Sequence, residues 1–456
     1  MTLREDALDA VKAAVRAADP ESFVREKVRL RGPDLVIGPV RLDLSGFDRI
    51  FVVGGGKASL GMAFGVDRLL GRRITDGLVN IPEYLQVKPG NRRIRFNPAS
   101  HPIPSEKGVR GVEEMLELVG RPSPRDLVIC LLSGGASVMM PLPVAGLGLR
   151  DKRKVTQGLL SSGASIGEVN TVRRHLSRVK GGRLAERFYP AVVLSLIVSD
   201  VAGDRLEDVG SGPTAPDPST YKDAWRVLEK YGLWNDIPKT VRDIIEKGEA
   251  GLINETPKPG SEIFRQVHNT IVGSNREPCA AAAETLRKRG YRTIVLTRSL
   301  EGEAGSVGKI FSSILSDLNQ GQLSLKRPVA LVAGGETTVT VKGTGTGGRN
   351  QELVLSAALG IQGLPNVLVA SAGTDGLDGP TDAAGAVADG TTVMRALRRG
   401  LDPGDFLENN DSYSFFKKLK DLIVTGPTGT NVKDITIALA GLPGRNTRGR
   451  HVVPRH

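Results

Sequence analysis

Lys57 stands in Gly54-Gly-Gly-Lys57-Ala-Ser, and Arg349 closes Gly343-Thr-Gly-Thr-Gly-Gly-Arg349. Each is a cation in a glycine turn that leads from an apolar run into a helical pattern. Glycine lets the backbone approach a ligand closely, and free N–H groups at a helix start favour an anion. A cation at Arg349 opposes the helix dipole, and a bound phosphate or carboxylate would reverse that penalty. Ser133-Gly-Gly-Ala-Ser137 ends another apolar run with the same opportunity for backbone N–H groups. The chemistry these residues suit is the holding and transfer of an anionic group. Lys57 and Arg349 would act on it. Gly54, Gly55, Gly56, Ser133, Gly134, Gly135, Ser137, Gly347 and Gly348 would cradle it. The same residues also suit plainer roles: a flexible hairpin with a solvated arginine, a loop lysine, a tight strand-to-helix turn.

Acids gather in comparable places. Asp200 and Glu336 each follow an apolar run, and Asp375, Asp378 and Asp382 crowd one Gly-rich loop. Mg²⁺ takes one or two carboxylates plus phosphate oxygens, so Asp200 and Glu336 are the metal candidates. Ordinary turn chemistry is the alternative for the three loop aspartates. Gly54 to Ser59 is not a Walker loop, and a dinucleotide reading lacks a well-placed ribose-binding acid, because Asn80, Ile81 and Pro82 stand at the end of the second strand and Glu83 lies beyond the proline. Gly163-Ala-Ser165-Ile-Gly167 matches G-x-S-x-G but follows a helix instead of a strand. Arg173, Arg174 and Lys180 read as a solvated basic face of a helix running from Asn170, while His175 has no metal-ligand spacing and reads as structural.

Strand patterns over 48–54, 77–81, 93–96, 126–132 and 192–199 alternate with helical stretches over 62–70, 106–119, 150–160 and 170–188. Such alternation means a parallel sheet covered on both faces. Residues 217–260 turn helical and polar, and a second pattern follows, with strands over 269–272, 291–296, 329–333, 337–341, 366–370, 422–424 and 435–439. The expected architecture is α/β in two domains, 1–255 with a Rossmann-like, mostly parallel sheet and 256–456 as a second α/β domain. The active site is expected in an interdomain cleft, where two sets of strand carboxyl ends would face each other.

Composition narrows the partners. The chain has 456 residues, too many for one ordinary core. Its formal net charge of +12 suits nucleic acid, an anionic membrane or small anions, but aromatics are only 4%, few for a reader of unpaired bases. Small anions are therefore the favoured partner. The basic tail 445–456 reads as a frayed end. No apolar run reaches about 18 residues, and residues 1–24 read as an amphipathic helix instead of a signal peptide. Cys130 and Cys279 read as small core residues in a reducing cytosol.

The blocks above, with Asn170-Thr-Val-Arg-Arg-His-Leu-Ser177, Val179-Lys-Gly-Gly-Arg-Leu184, Ser211-Gly-Pro-Thr214, Thr374-Asp-Gly-Leu-Asp-Gly-Pro-Thr-Asp382 and Gly426-Pro-Thr-Gly-Thr-Asn431, run in order across nearly the whole chain. Together they resemble the glycerate 2-kinase family of the MOFRL type. That resemblance implies a cytoplasmic two-domain enzyme that uses ATP and Mg²⁺ to phosphorylate D-glycerate. It implies small-molecule substrates, neither nucleic acid nor membrane as partner, and admits a homodimer. Lys57 and Arg349 match the lysine and arginine central to the family. Some members are labelled hydroxypyruvate reductase, which leaves an NAD(P)H enzyme as the alternative, and a non-catalytic anion-binding protein as a third. The chain departs from the family pattern at Ala202 and Arg205-Leu-Glu-Asp-Val-Gly210, so metal ligands carry over in that stretch only as far as Asp200.

Overall fold

In the computed structural model, which describes residues 2–87 and 92–442, the strands fall into three sheets. The smallest is an antiparallel meander of β1 (Val28–Arg31), β2 (Asp34–Ile37) and β3 (Val40–Asp43). The basic tail lies outside the described residues.

The first large sheet contains β4 (Arg49–Gly55), β5 (Asp76–Pro82), β6 (Ile94–Ala99), β7 (Asp126–Ser133), β8 (Val192–Val198) and β9 (Val267–Gly273). Their order is β6-β5-β4-β7-β8-β9, and every neighbouring pair is parallel. Strand alternation splits their apolar residues between two cores. Val52, Leu127, Ile129 and Leu131 enter one; Phe51, Val53, Val128, Cys130 and Leu132 enter the other. Both faces are covered, which is why β7 reads as an unbroken apolar run with no polar alternation. The strand order reverses between β4 and β7, so this sheet's ligand crevice belongs at their carboxyl ends. The turns carrying Lys57 and Ser133–Ser137 lie there.

The second large sheet contains β10 (Arg292–Leu300), β11 (Val329–Gly335), β12 (Val367–Gly373), β13 (Gly385–Asp389), β14 (Leu422–Ile423) and β15 (Asp434–Ala440), ordered β10-β11-β15-β12-β13-β14. Only β10 and β11 run parallel; the other pairs are antiparallel. Because β15 runs against both of its neighbours, its first residue, Asp434, lies opposite Gly335 and Gly373 at the carboxyl ends of β11 and β12.

The chain divides into two compact units, but not at one point. One holds residues 18–274 and 429–432; the other holds 1–17, 275–428 and 433–456. Residues 269–272, expected in the second sheet, lie in β9, the last strand of the first. One helix is expected through 1–24. Two form instead, Leu3–Ala17 and Pro20–Lys27, broken where Asp19 caps the second through the N–H of Ser22. The first of these helices packs with Ala282, Ala283 and Leu286 and is tied by Asp6 to the hydroxyl of Tyr291 at 2.8 Å. A strand over 337–341 does not form. Both edges of β11 are already paired, Val341 is exposed, and the chain makes only an isolated bridge at Thr338. Strand β13 forms in a stretch to which the sequence pattern assigns no element. Among the described residues no helix is long and apolar enough to cross a membrane.

Candidate active site

In the first large sheet the Lys57 turn is closed by the protein itself. The N–H groups of Gly56, Lys57 and Ala58 donate to Asn80 O, Gly134 O and Ser133 Oγ at 3.4, 2.8 and 3.0 Å. The Gly54–Gly56 backbone, expected to cradle phosphate, therefore packs the turn against β5 and β7 and aims the half-buried Lys57. The Ser133–Ser137 turn differs. Among the described residues the N–H groups of Gly134, Gly135, Ala136 and Ser137 find no protein acceptor. Of the two turns, this is the one with donors open to an oxyanion. Ser137 Oγ lies 3.0 Å from Ser211 Oγ, which in turn donates to Asn170.

Asp200 follows β8 and lies directly over this turn: a Cβ on Gly134 would overlap its carboxylate. His101, which sequence reasoning passed over, faces the same place, with its ring and the Lys57 stem both beside Gly135. Burial, and then Lys57, push the imidazole down to about 4, so it is neutral at physiological pH and adds no charge of its own. Lys57, Asp200 and the open amides thus converge at the carboxyl ends of β4, β7 and β8.

The second large sheet builds its site around Arg349, the first residue of the helix Arg349–Gly360. Its Nε and Nη2 donate to the two carboxylate oxygens of Asp434 at 2.6 and 2.9 Å, and Nη1 lies 2.8 Å from Glu336. Burial opposes the guanidinium charge, but Asp434, Glu336 and Asp378 outweigh it and hold Arg349 above its ordinary pKa. Glu336, a metal candidate from sequence, is here a partner of Arg349. The helix start was expected to leave N–H groups for a ligand. Instead Asp378 supplies the anion: its carboxylate accepts from the N–H groups of Asn350 and Gln351 at 3.0 and 2.9 Å and from both side-chain amides. A Cβ on Gly348 would overlap Asp378 and one on Gly347 would overlap Ser412, so Gly348 serves the close approach of the Asp378 loop and Gly347 that of the Ser412 segment. Asp375 accepts from the N–H of Leu377, and Asp382 accepts from the Tyr413 hydroxyl, which is loop chemistry for both.

The basic segment after Asn170 is not a solvated face. Arg174 is 4% exposed and pairs with Asp208 and Asp217 at 3.0 and 3.2 Å; Lys180 is 1% exposed. The helix ends at His175, so helical spacing does not govern Lys180. His175 is structural, as read: its ring nitrogens contact Thr171 O and Glu255. Both cysteines are free and buried.

Residues 6–246 match a family described as a domain of unknown function (DUF4147), and residues 329–434 match the MOFRL family. The D-glycerate 2-kinase of Thermotoga maritima is 42% identical over 438 residues, covering 96% of this chain and 98% of its own. An Agrobacterium vitis protein that bears the name hydroxypyruvate reductase is 38% identical, covering 94% of this chain and 92% of its own. The crystal structure of glycerate kinase from Thermotoga maritima has a TM-score of 0.83 at 41% identity, over 96% of this chain and 99% of that one.

Proposed function

Since the chain belongs to the glycerate 2-kinase family with a MOFRL second half, we propose that it transfers the γ-phosphoryl group of ATP to the 2-hydroxyl of D-glycerate. The new P–O bond forms at that hydroxyl, the bond to the β-phosphate oxygen breaks, and the hydroxyl proton is released. The observation that carries this reading is the arrangement of Lys57, the open amides of Gly134–Ser137 and Asp200 at the strand ends of β4, β7 and β8. Phosphoryl transfer asks a protein for positioning and for positive charge around the moving group. Lys57 and Arg349 supply the charge, and the Gly134–Ser137 amides supply directed donors. Arg349 with Asp434 and Glu336 is formally −1, so it turns toward a phosphate only when the two carboxylates are themselves satisfied. Asp200 in the one unit, and Glu336 with Asp434 in the other, are each carboxylates of the kind Mg²⁺ takes, since that ion keeps waters and needs few protein ligands. When bound, that ion neutralises part of the phosphate charge.

Asn80 weighs against the reductase alternative. The strand order of the first sheet is the dinucleotide-binding one, but fold alone does not assign function. Where a ribose-binding acid would stand, Asn80 is fully buried, with its Nδ2 bonded to Gly108 O and Met139 O and its Oδ1 accepting from Asn97. It offers nothing to a ribose. Purified protein with ATP, Mg²⁺ and D-glycerate is expected to yield ADP and 2-phosphoglycerate, identified by coupled assay and phosphorus NMR. With hydroxypyruvate and NADH or NADPH it is expected to leave the nicotinamide absorbance unchanged; the opposite pair of results would reverse the assignment.

The position of Asp200 is itself testable. Gly134→Ala forces the Asp200 carboxylate aside without removing it. A misplacement of about 1 Å at such a site is worth roughly 10²-fold in rate. The variant should therefore lose about that much kcat, need more Mg²⁺ for half-maximal rate, and melt close to wild type. An unshifted metal titration would take Asp200 out of the metal site.

A further inference from the structure

A cavity of about 410 Å³ lies in the unit of the first large sheet, against the helix Leu149–Ser161. That volume is within the range of small-ligand pockets, roughly 300–1,000 Å³. Its charged lining is of one sign: Arg150, Lys152, Arg153, Lys154, Arg173 and Lys180, with no aspartate or glutamate among the lining residues. Two of these cations are buried. Lys152 is 6% exposed and Lys180 1%, and each ammonium donates to one backbone carbonyl, Pro141 O and Met140 O, both at 3.1 Å. Among the described residues neither lysine, nor Arg173, forms an ion pair.

Burying an ammonium without a counter-charge costs several kcal/mol. The chain avoids that cost next door, where Arg174 has two aspartates. At the cavity no acid is supplied: burial, then repulsion from Arg173 and Arg183, pushes Lys152 down to about 7, and burial, then Lys152 and Arg173, lowers Lys180 well below its ordinary value. Two lysines whose charged form burial disfavours, beside Arg173, suit an anion of more than one charge, because its arrival would favour their ammonium forms and each new contact would be a charge-assisted hydrogen bond. The uncharged lining is mostly apolar, with Thr156, Gln157 and Ser137 as its polar members, and Ile103 and Leu160 are 60% and 46% exposed. Ser137 is also in the lining, and it belongs to the turn whose Gly135 touches the Lys57 stem.

A polyanion joined to a flat, weakly polar ring matches each of these features. We propose that this cavity seats the nucleotide: Lys152, Lys180 and Arg173 hold its phosphate chain, Ile103 and Leu160 flank its base, and Ser137 marks the path of the terminal phosphate toward Lys57. The assignment rests on the kinase reading, and the two can fail separately.

The test measures binding of the β,γ-imido analogue of ATP to the full chain by calorimetry, beside the KM values for ATP and D-glycerate. Lys152→Met and Lys180→Met keep stem length and remove charge. Each is expected to weaken the analogue by about 10- to 100-fold, the worth of one charge-assisted bond. The KM for glycerate should stay within about twofold, and both variants should melt at or above the wild-type temperature without ligand, since the cost of burying an amine, or of stripping its proton, is gone. Leu160→Glu alters an exposed edge and leaves the core intact, so it decides the matter should a lysine variant fail to fold. It should weaken the analogue about tenfold at unchanged melting temperature. Unchanged analogue affinity in all the folded variants overturns the proposal. So does a rise confined to the glycerate KM, which would make the cavity the acceptor's seat. Inorganic phosphate displacing the analogue with equal affinity, together with a silent Leu160→Glu, would make it a simple anion site and overturn the proposal too. Wild-type protein that binds the analogue but turns nothing over keeps the cavity and sinks the kinase reading; protein that does neither sinks both.

Discussion

Replacing Arg349 with alanine is expected to lower kcat by on the order of 10³–10⁵, the range for an arginine that meets charge developing on a transferring phosphoryl group. Arg349→Lys should recover little of it. The side chain works as a fork, with Nε and Nη2 on Asp434 and Nη1 on Glu336, and this leaves the guanidinium plane in one orientation. An ammonium has neither the plane nor the reach to satisfy both carboxylates and a phosphate. Both variants should also lose stability, because Asp434 is only 5% exposed and would be left without its bidentate partner. Orphaning a buried polar group costs about 1–3 kcal/mol. The kinetic measurement is therefore made well below the melting temperature of each variant. Single-turnover rates separate chemistry from product release. If Arg349→Ala turns over at near wild-type rate under those conditions, the arginine is a structural anchor for Asp434 and Glu336 and has no part in the chemistry.

What could be read beforehand was what is local. A strand, a glycine turn and a helix announce themselves within about a dozen residues, so the turns at Lys57, Ser133 and Arg349, and the parallel order of the first sheet, were visible from pattern alone. The partners of those turns were not. Asp434 lies 85 residues beyond Arg349, and only the insertion of β15 between β11 and β12 brings it to the arginine. His101 reaches the Lys57 turn by packing that no spacing rule encodes. Asp378 shows how two readings of a glycine loop can both be partly right. The helix start does want an anion, but the chain provides its own, and the glycines exist to let it in. The misreading of Arg174 and Lys180 as a solvated face has a simple cause. Helical periodicity was carried past His175, where the helix stops, and a basic stretch was given to solvent when its charges are buried.

Lys57→Met should lower kcat by about 10²–10³, the loss typical when one preorganised donor to developing charge is removed. The half-buried turn itself is held by backbone bonds from Gly56, Lys57 and Ala58, and methionine keeps the length of the stem against Gly135, so the variant is expected to keep the geometry of the turn. The division between constants is the sharper prediction. An ammonium that strengthens its contact only as charge moves onto the leaving and entering oxygens affects kcat and kcat/KM alike and leaves KM for ATP nearly constant. One that merely holds the ground-state phosphate raises KM and spares kcat. Neutral His101 beside it cannot substitute for the lost charge, because burial keeps its pKa near 4. Removing Lys57 relieves one of the two influences that depress that imidazole, so His101 should titrate somewhat higher in Lys57→Met, measurable by NMR on the ring protons. A variant with wild-type kcat would leave the open amides of Gly134–Ser137 and Arg349 as the only carriers of the transferring phosphate.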